Sequence, residues 1–294
     1  MSPLTIGEAL AGAAETLRSR GIDTARLDAE VLLAFVLNTS RLDLHVNSRE
    51  VLPDGIWHGY NTLIERRAGR EPVAYITGEK EFMSLAFYVD RNVLVPRPET
   101  EILVEWIIEK IRERPGFSTR RPVIMDVGTG SGSIAVSLAK YVSRAEVWAV
   151  DISEKALDTA CRNARTHKVD DRISFLQSDL LTGIPAGLKG RVDFMAANLP
   201  YIPSREIPHL MAEVAGFEPY IALNGGGDGL DLYRKLIPQA REVLHTCGWL
   251  GMEVGAAQAE KLAPLLSERI WGESAVVLKD YTGVDRFVVV QKKN

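Results

Sequence analysis

The sequence predicts an α/β fold: a doubly wound sheet of seven mostly parallel strands, preceded by a small all-helical segment and a β-hairpin linker. Three observations carry this. Residues 4–70 repeat apolar side chains at helical spacing without a strand-like run. Residues 71–98 turn rich in aromatic and β-branched residues, the composition of a hairpin. From Pro122 onward, short apolar runs alternate with amphipathic ones, the pattern of β-strand and crossover helix. The 294 residues, 46% of them hydrophobic, suffice for two domains of about 100–200 residues each. The expected divisions are residues 1–70, 71–98 and 99–294.

In the first part, LTIGEALAGAAETLRSRG stops at Gly21, and Asp23 or Thr24 is placed to cap ARLDAEVLLAFVLN. RLDLHVNSREVLP is a connector with room for a short helix, and Pro53 and Asp54 open DGIWHGYNTLIERRAGR. His45 and His58 stand alone and fit no ligand cluster. In the linker, ITGEKEF and LAFYVD read as paired strands, and Pro96 and Pro98 hold Arg97 extended. ETEILVEWIIEKIRER is then an amphipathic helix. The sheet strands are VIMDVG, AEVWAVDI, ISFLQSDL, VDFMAAN, GWLGMEVG, SAVVLKDYT and RFVVVQK, the last two forming a hairpin. Helices follow in SGSIAVSLAKYV, SEKALDTACRNARTHK, DLYRKLIPQAREVLH and AAQAEKLAPLLSERI.

Composition excludes several classes. The net charge is -4, so no global basic field holds a polyanion, which argues against direct nucleic-acid binding. RERPGFSTRRP, residues 112–122, is the most basic stretch and reads as an exposed linker. Cys161 and Cys247 lack metal spacing and read as free, partly buried thiols; no metal is expected. The N-terminal stretch is too charged for a signal peptide, and no apolar run reaches the roughly 18 residues of a membrane span, so the expected location is cytoplasmic.

The chemistry lies where strands end. Asp126 closes the first sheet strand and is followed by Gly128, Thr129, Gly130, Ser131 and Gly132, then a helix. Glycine lets a backbone approach a ligand closely. The next strand ends in Asp151, whose carboxylate can accept both hydroxyls of a ribose. The third ends in Gln177, Ser178 and Asp179, where the Asp179 carboxylate can accept from an adenine amino group. A dinucleotide fingerprint would need a third glycine at Ser133. The loop instead resembles the first motif of S-adenosylmethionine-dependent methyltransferases, whose cofactor has no phosphate to cradle. Asn198, Leu199, Pro200 and Tyr201 end the fourth strand. Together they suit a planar NH2 acceptor: the Asn198 carbonyl takes one N–H, the backbone carbonyl of Leu199 or Pro200 the other, and Tyr201 offers a stacking face.

Most of the chain resembles the HemK/PrmC family of release-factor glutamine N5-methyltransferases. EPVAYITGEKEF, LVPRPETE, DVGTGSGSIA, VDFMAANLPYI, FEPYIALNGGGDGLDLYR and GVDRFVVV look like that family's segments in the same order. The resemblance implies a Rossmann-like class I methyltransferase. It implies methyl transfer from S-adenosylmethionine to the glutamine of the Gly-Gly-Gln loop of bacterial class I peptide chain release factors, with the helical domain helping to dock the release factor. Cofactor binding would fall to Asp126, Gly128 to Gly132, Asp151, Asp179, Leu180 and Asn198. Catalysis would fall to Asn198, Pro200 and Tyr201, and acceptor binding to these with Leu199. Arg97 would meet the acceptor or an active-site carboxylate; the other reading is a salt bridge to Glu99 or Glu101. NGGGDGLD is either a loop near the site entrance or a glycine-rich connector.

Two departures keep other substrates open. The family's usual quartet is Asn-Pro-Pro-Tyr, whereas Leu199 gives the Asn-Leu-Pro-Tyr form of ribosomal RNA adenine dimethyltransferases. Leu180 stands where some members have an aromatic residue. The alternatives are N6-adenine methylation of nucleic acid and glutamine methylation of a ribosomal protein. A non-catalytic adapter is disfavoured by the intact Asp126, Asp151, Asn198 and Tyr201.

Overall fold

The computed structural model describes residues 4–118 and 120–293. The chain forms two compact units, one running to Glu79 and including Met211–Phe217, the other comprising Lys80–Leu210 and Glu218 onward.

The first unit holds helices α1 (Ile6–Ser19), α2 (Ala25–Leu37), α3 (Arg41–Val46), α4 (Asp54–Ala68) and α5 (Val73–Thr77). Reciprocal caps start two of them: Thr5 with Glu8 on α1, and Ser40 with Asp43 on α3. Each such cap stabilises by about 1 kcal/mol. Thr24 does not cap α2; its hydroxyl donates to Asp28 at 2.8 Å instead. The α5 segment was expected to begin a strand. Pro72 fixes its start and Gly78, at φ 72°, ends it in the left-handed conformation, so the strand begins only at Glu79.

The second unit begins with the hairpin β1 (Glu79–Phe82) and β2 (Leu85–Tyr88), followed by α6 (Glu101–Arg112). Then come β3 (Val123–Val127), α7 (Ser133–Tyr141), β4 (Glu146–Asp151), α8 (Glu154–Thr166), β5 (Ile173–Gln177) and β6 (Val192–Ala197). The short α9 (Ala212–Phe217) belongs to the first unit. There Glu213 accepts from Arg67, a buried guanidinium that also bonds Asp28 at 2.7 Å. A buried cation of this kind needs its carboxylates, because either partner's loss leaves a charge without compensation. The chain closes with α10 (Tyr220–Leu223), α11 (Asp231–Val243), β7 (Leu244–Glu253), α12 (Ala259–Leu262), α13 (Glu268–Trp271), β8 (Val276–Lys279) and β9 (Asp285–Gln291).

The seven-strand sheet has the order β5-β4-β3-β6-β7-β9-β8, parallel except for β9. Its alternate residues face two cores. Met125, Met195 and Leu250 pack with α11 on one side; Ile124, Val147 and Phe194 pack with α6 and α7 on the other. Burial on both faces is why the strands read as continuous apolar runs.

Four further expectations are corrected. AAQAEKLAPLLSERI is not one helix but α12 and α13, divided at Pro264, which has no N–H to continue the ladder. Leu244 and His245, read as helix, already belong to β7. The basic stretch before β3 is not simply an exposed linker: Phe117 is buried, and Arg120 lies over its ring and bonds buried Asp193 at 2.5 and 2.7 Å. Cys247 is exposed rather than partly buried, while Cys161 is half-buried. Among the described residues, no helix is long and apolar enough to cross a membrane.

Candidate active site

Strand order reverses around β3, which has β4 on one side and β6 on the other. Open parallel sheets bind ligands at the carboxyl edge of such a switch point. Register brings the ends level: Val127 pairs with Val150 and Ala197, and Ala197 with Met252. The next residues in each strand therefore gather at one edge, around a largely apolar cavity of about 490 Å³.

The glycine loop forms one wall. Gly128 and Thr129 donate to the Val150 carbonyl at 2.8 and 3.0 Å. Gly128, Gly130 and Gly132 all have positive φ, which glycine adopts without a Cβ penalty. A Cβ at Gly132 would stand 2.9 Å from that of Ala160, so this glycine permits loop and α8 to pack. At Gly130 the nearest atom to a Cβ would be 4.0 Å away, leaving open space beside the loop backbone. Asn163, almost wholly buried, bonds the Ser131 carbonyl at 2.8 Å and both backbone groups of Tyr88, tying the hairpin to the loop.

Of the residues expected at the cofactor, Gly128, Thr129, Gly130, Ser131, Asp151, Asp179, Leu180 and Asn198 line the cavity. Asp126 and Gly132 do not. Asp126 is fully buried beneath the loop, where one carboxylate oxygen accepts from the Thr129 hydroxyl at 2.7 Å and the Ala135 N–H at 3.1 Å. Its other oxygen has no partner, and burial pushes the carboxyl up to about 7. Asp126 thus shapes the loop from below. Asp151 accepts from the Gly130 and Ser153 N–H groups, each at 2.9 Å. Burial raises its pKa and those two donors oppose the rise.

Asn198, Leu199 and Pro200 line the opposite wall. Tyr201 is not among the lining residues; its hydroxyl donates to Glu253 at 3.3 Å. Burial raises the tyrosine's pKa, with Glu253 adding to it. Arg97 lines the cavity but bonds neither Glu99 nor Glu101. Its guanidinium reaches both oxygens of buried Glu218 at 2.8 Å. That pair anchors the start of the segment carrying Tyr220, Ile221 and Asn224, which form part of the cavity rim.

The sequence reading missed Glu253, Thr100, Tyr233 and Glu218. Glu253 carries the same signal as Asp151 and Asn198, a polar residue closing an apolar strand. Tyr233, wholly buried, accepts from the Leu199 N–H at 3.1 Å and donates to the Glu253 carbonyl; as one apolar position of an amphipathic helix it gives no such signal.

A seven-stranded sheet with its last strands antiparallel, a glycine loop after β3, an acidic residue ending β4 and Asn-Leu-Pro-Tyr after β6 define a Rossmann-like methyltransferase. Residues 124–217 match the family model of a methyltransferase domain, and residues 8–78 match that of the PrmC N-terminal domain. The chain belongs to the family of release factor glutamine methyltransferases. One such relative, from Moorella thermoacetica, is 40% identical over 290 residues, spanning 99% of both chains. Another, from Geobacter sulfurreducens, is 39% identical over 92% of this chain and 91% of its own. Among solved structures, the N-terminal domain of human METTL16 in complex with SAH superposes with a TM-score of 0.53 at 16% identity, over 89% of this chain and 94% of that one. At that identity the likeness is one of fold.

Proposed function

We propose that this enzyme methylates the side-chain amide nitrogen of the glutamine in the Gly-Gly-Gln loop of class I release factors, using S-adenosylmethionine. The observation that carries the reading is the orientation of Asn198. Its NH2 group donates to Glu253 at 3.0 Å and to the Thr100 hydroxyl at 3.1 Å, leaving its carbonyl oxygen for a donor in the cavity. An amide NH2 is such a donor.

The cavity suits the cofactor. Asp151 offers acceptors to ribose hydroxyls, Leu180 an apolar surface for adenine, Asp179 an acceptor for its amino group, and the bare glycine backbone close approach. Bound there, S-adenosylmethionine would supply an electrophilic methyl group, its sulfur keeping the electron pair of the broken carbon–sulfur bond while the amide nitrogen, on bonding that carbon, would give up a proton to water. What the chain adds is alignment, which can supply roughly 7–11 kcal/mol of a barrier. Asn198 holds one N–H of the acceptor. The Leu199 carbonyl, with a single long contact to the Tyr233 hydroxyl at 3.4 Å, has a lone pair for the other. The Pro200 carbonyl instead faces Gly225, where a Cβ would stand 2.7 Å from it.

We assign release-factor docking to the helical unit, where Phe35, Leu42 and Val46 are exposed apolar side chains on α2 and α3. Internal use of Arg120 removes charge from the most basic stretch and disfavours RNA as the acceptor.

The test is transfer of labelled methyl from S-adenosylmethionine to a release factor, to that factor with its Gly-Gly-Gln glutamine changed to alanine, and to ribosomal RNA with ribosomal proteins. Label on the first alone supports the proposal; label confined to the third mixture refutes it. Asp151→Ala is expected to weaken cofactor binding by about 5- to 150-fold, two lost hydrogen bonds of roughly 0.5–1.5 kcal/mol each. Calorimetric titration checks it, and an unchanged dissociation constant would remove Asp151 from the cofactor site.

A further inference from the structure

Behind Asn198 lies the polar cluster that sets its orientation. Register pairs Ala197 with Met252, so Asn198 and Glu253 leave neighbouring strands side by side. The Glu253 carboxylate is 1% exposed. A carboxylate only accepts hydrogen bonds, and a buried one needs donors. Here it has three: the Thr100 hydroxyl at 2.6 Å, the Asn198 NH2 at 3.0 Å and the Tyr201 hydroxyl at 3.3 Å. Thr100, also buried, in turn accepts from the Asn198 NH2.

A carboxamide has two orientations of nearly the same shape. One presents oxygen to the cavity, the other NH2. An acceptor amide arriving with its own N–H groups can bond only to the first. Nothing within Asn198 decides between them; the surroundings must.

We infer that Glu253, with Thr100 as its hydroxyl partner, is a positioning residue that locks the Asn198 carboxamide with its oxygen facing the methyl acceptor. This rests on Asn198 as the acceptor-binding residue. The flipped orientation would set the Asn198 oxygen against a carboxylate and its NH2 against the incoming amide, a mismatch at both ends. The lock also polarises. An anion drawing on the NH2 group shifts electron density toward the carbonyl oxygen, since linked hydrogen bonds strengthen one another. Burial raises the Glu253 pKa, and its bonds from Thr100 and Tyr201 oppose that rise, so the donors that orient the cluster also favour its ionised form.

The test uses the full-length enzyme and whichever acceptor the wild type labels, so an error in the acceptor assignment leaves it intact. Glu253→Gln keeps the shape but replaces an acceptor oxygen with a donor. The expected result is a kcat lower by about 10- to 100-fold, the loss of one hydrogen bond to a charged group. KM for the acceptor and the dissociation constant for S-adenosylmethionine should stay within about threefold. Thr100→Val, which loses both the hydroxyl's bond to the Glu253 carboxylate and the bond it accepts from Asn198, should lower kcat by about 10- to 100-fold, and Thr100→Ser should keep it near wild type. A merely structural role would move all these constants together and would show no hydroxyl-specific rescue. The inference is overturned if Glu253→Gln keeps kcat within about twofold of wild type, or if cofactor affinity falls as far as kcat does. Should that variant fail to fold, Thr100→Val and Thr100→Ser decide alone, and equal kcat for those two would overturn it.

Discussion

Asn198→Ala is expected to lower kcat for methyl transfer by about 100- to 1,000-fold, the range found when one pre-aimed hydrogen-bonding group is removed from an active site. Cofactor affinity should change little, because the glycine loop, Asp151 and Leu180 remain in place. The side chain reaches the cavity from the end of β6 and is held there by Thr100 and Glu253. Alanine removes the acceptor for the substrate N–H and also leaves Glu253 one donor short, which costs about 1–3 kcal/mol of stability. Asn198→Asp separates the two effects. It restores an oxygen but sets a second carboxylate against Glu253, and like charges at hydrogen-bond distance disfavour each other's ionised form. Activity in that variant should stay low and improve as pH falls toward protonation of the pair. Single-turnover transfer with saturating cofactor measures both variants, and a rate for Asn198→Ala near wild type would remove Asn198 from the chemistry.

The sheet and half of its site were legible because parallel strands write themselves in one dimension. An apolar run of five or six residues, buried on both faces, ends where its first polar residue meets the carboxyl edge. That rule picks out Asp151, Asp179 and Asn198, all of which line the cavity. What the rule cannot supply is the partner. Thr100 meets Glu253 across 153 positions of sequence, and Arg97 meets Glu218 across 121; no local pattern joins such pairs. Hence the sequence offers Arg97 an acceptor or an unnamed active-site carboxylate, with Glu99 or Glu101 as the other reading, and cannot single out Glu218, which lies beyond α8 and β6. Glu253 was visible by the strand-end rule but has no meaning without Asn198 beside it. The Tyr201 hydroxyl is a related case: its bond to Glu253 spans 52 positions and no local pattern announces it. Element ends differ where a proline or glycine sets them, as Pro72 and Gly78 do at α5, or where a proline lies within an amphipathic run, as at Pro264.

Gly229→Ala is the second large effect expected, from a segment that sequence left between entrance loop and connector. Gly229 has φ 83°, and a Cβ there would stand 2.1 Å from the Tyr201 carbonyl oxygen and 2.5 Å from Gln258 Nε2. Gln258 is the brace at this point: its amide donates to the Tyr201 carbonyl at 2.9 Å and the Asp228 carbonyl at 3.2 Å, and accepts from the Gly255 N–H at 2.7 Å. The loop is therefore pressed onto the backbone that follows Asn198, and glycine is what lets it come so close. Alanine would impose both left-handed strain and overpacking, together about 2–5 kcal/mol. For a chain of this size the melting temperature should fall by about 5–15 °C. Any molecules that fold must shift Pro200 and Tyr201, so kcat should fall as well, even with cofactor affinity preserved. Gly227→Ala is the matched control. It lies two residues away in the same loop, is exposed, and has nothing within 4 Å of a Cβ, so its stability should stay within about 0.5 kcal/mol of wild type. Thermal unfolding and kcat measured on the pair distinguish a brace from a linker. Equal values for the two variants would mean that the loop only connects α10 to α11, whereas a fall confined to Gly229→Ala would make its glycines part of what aims the acceptor.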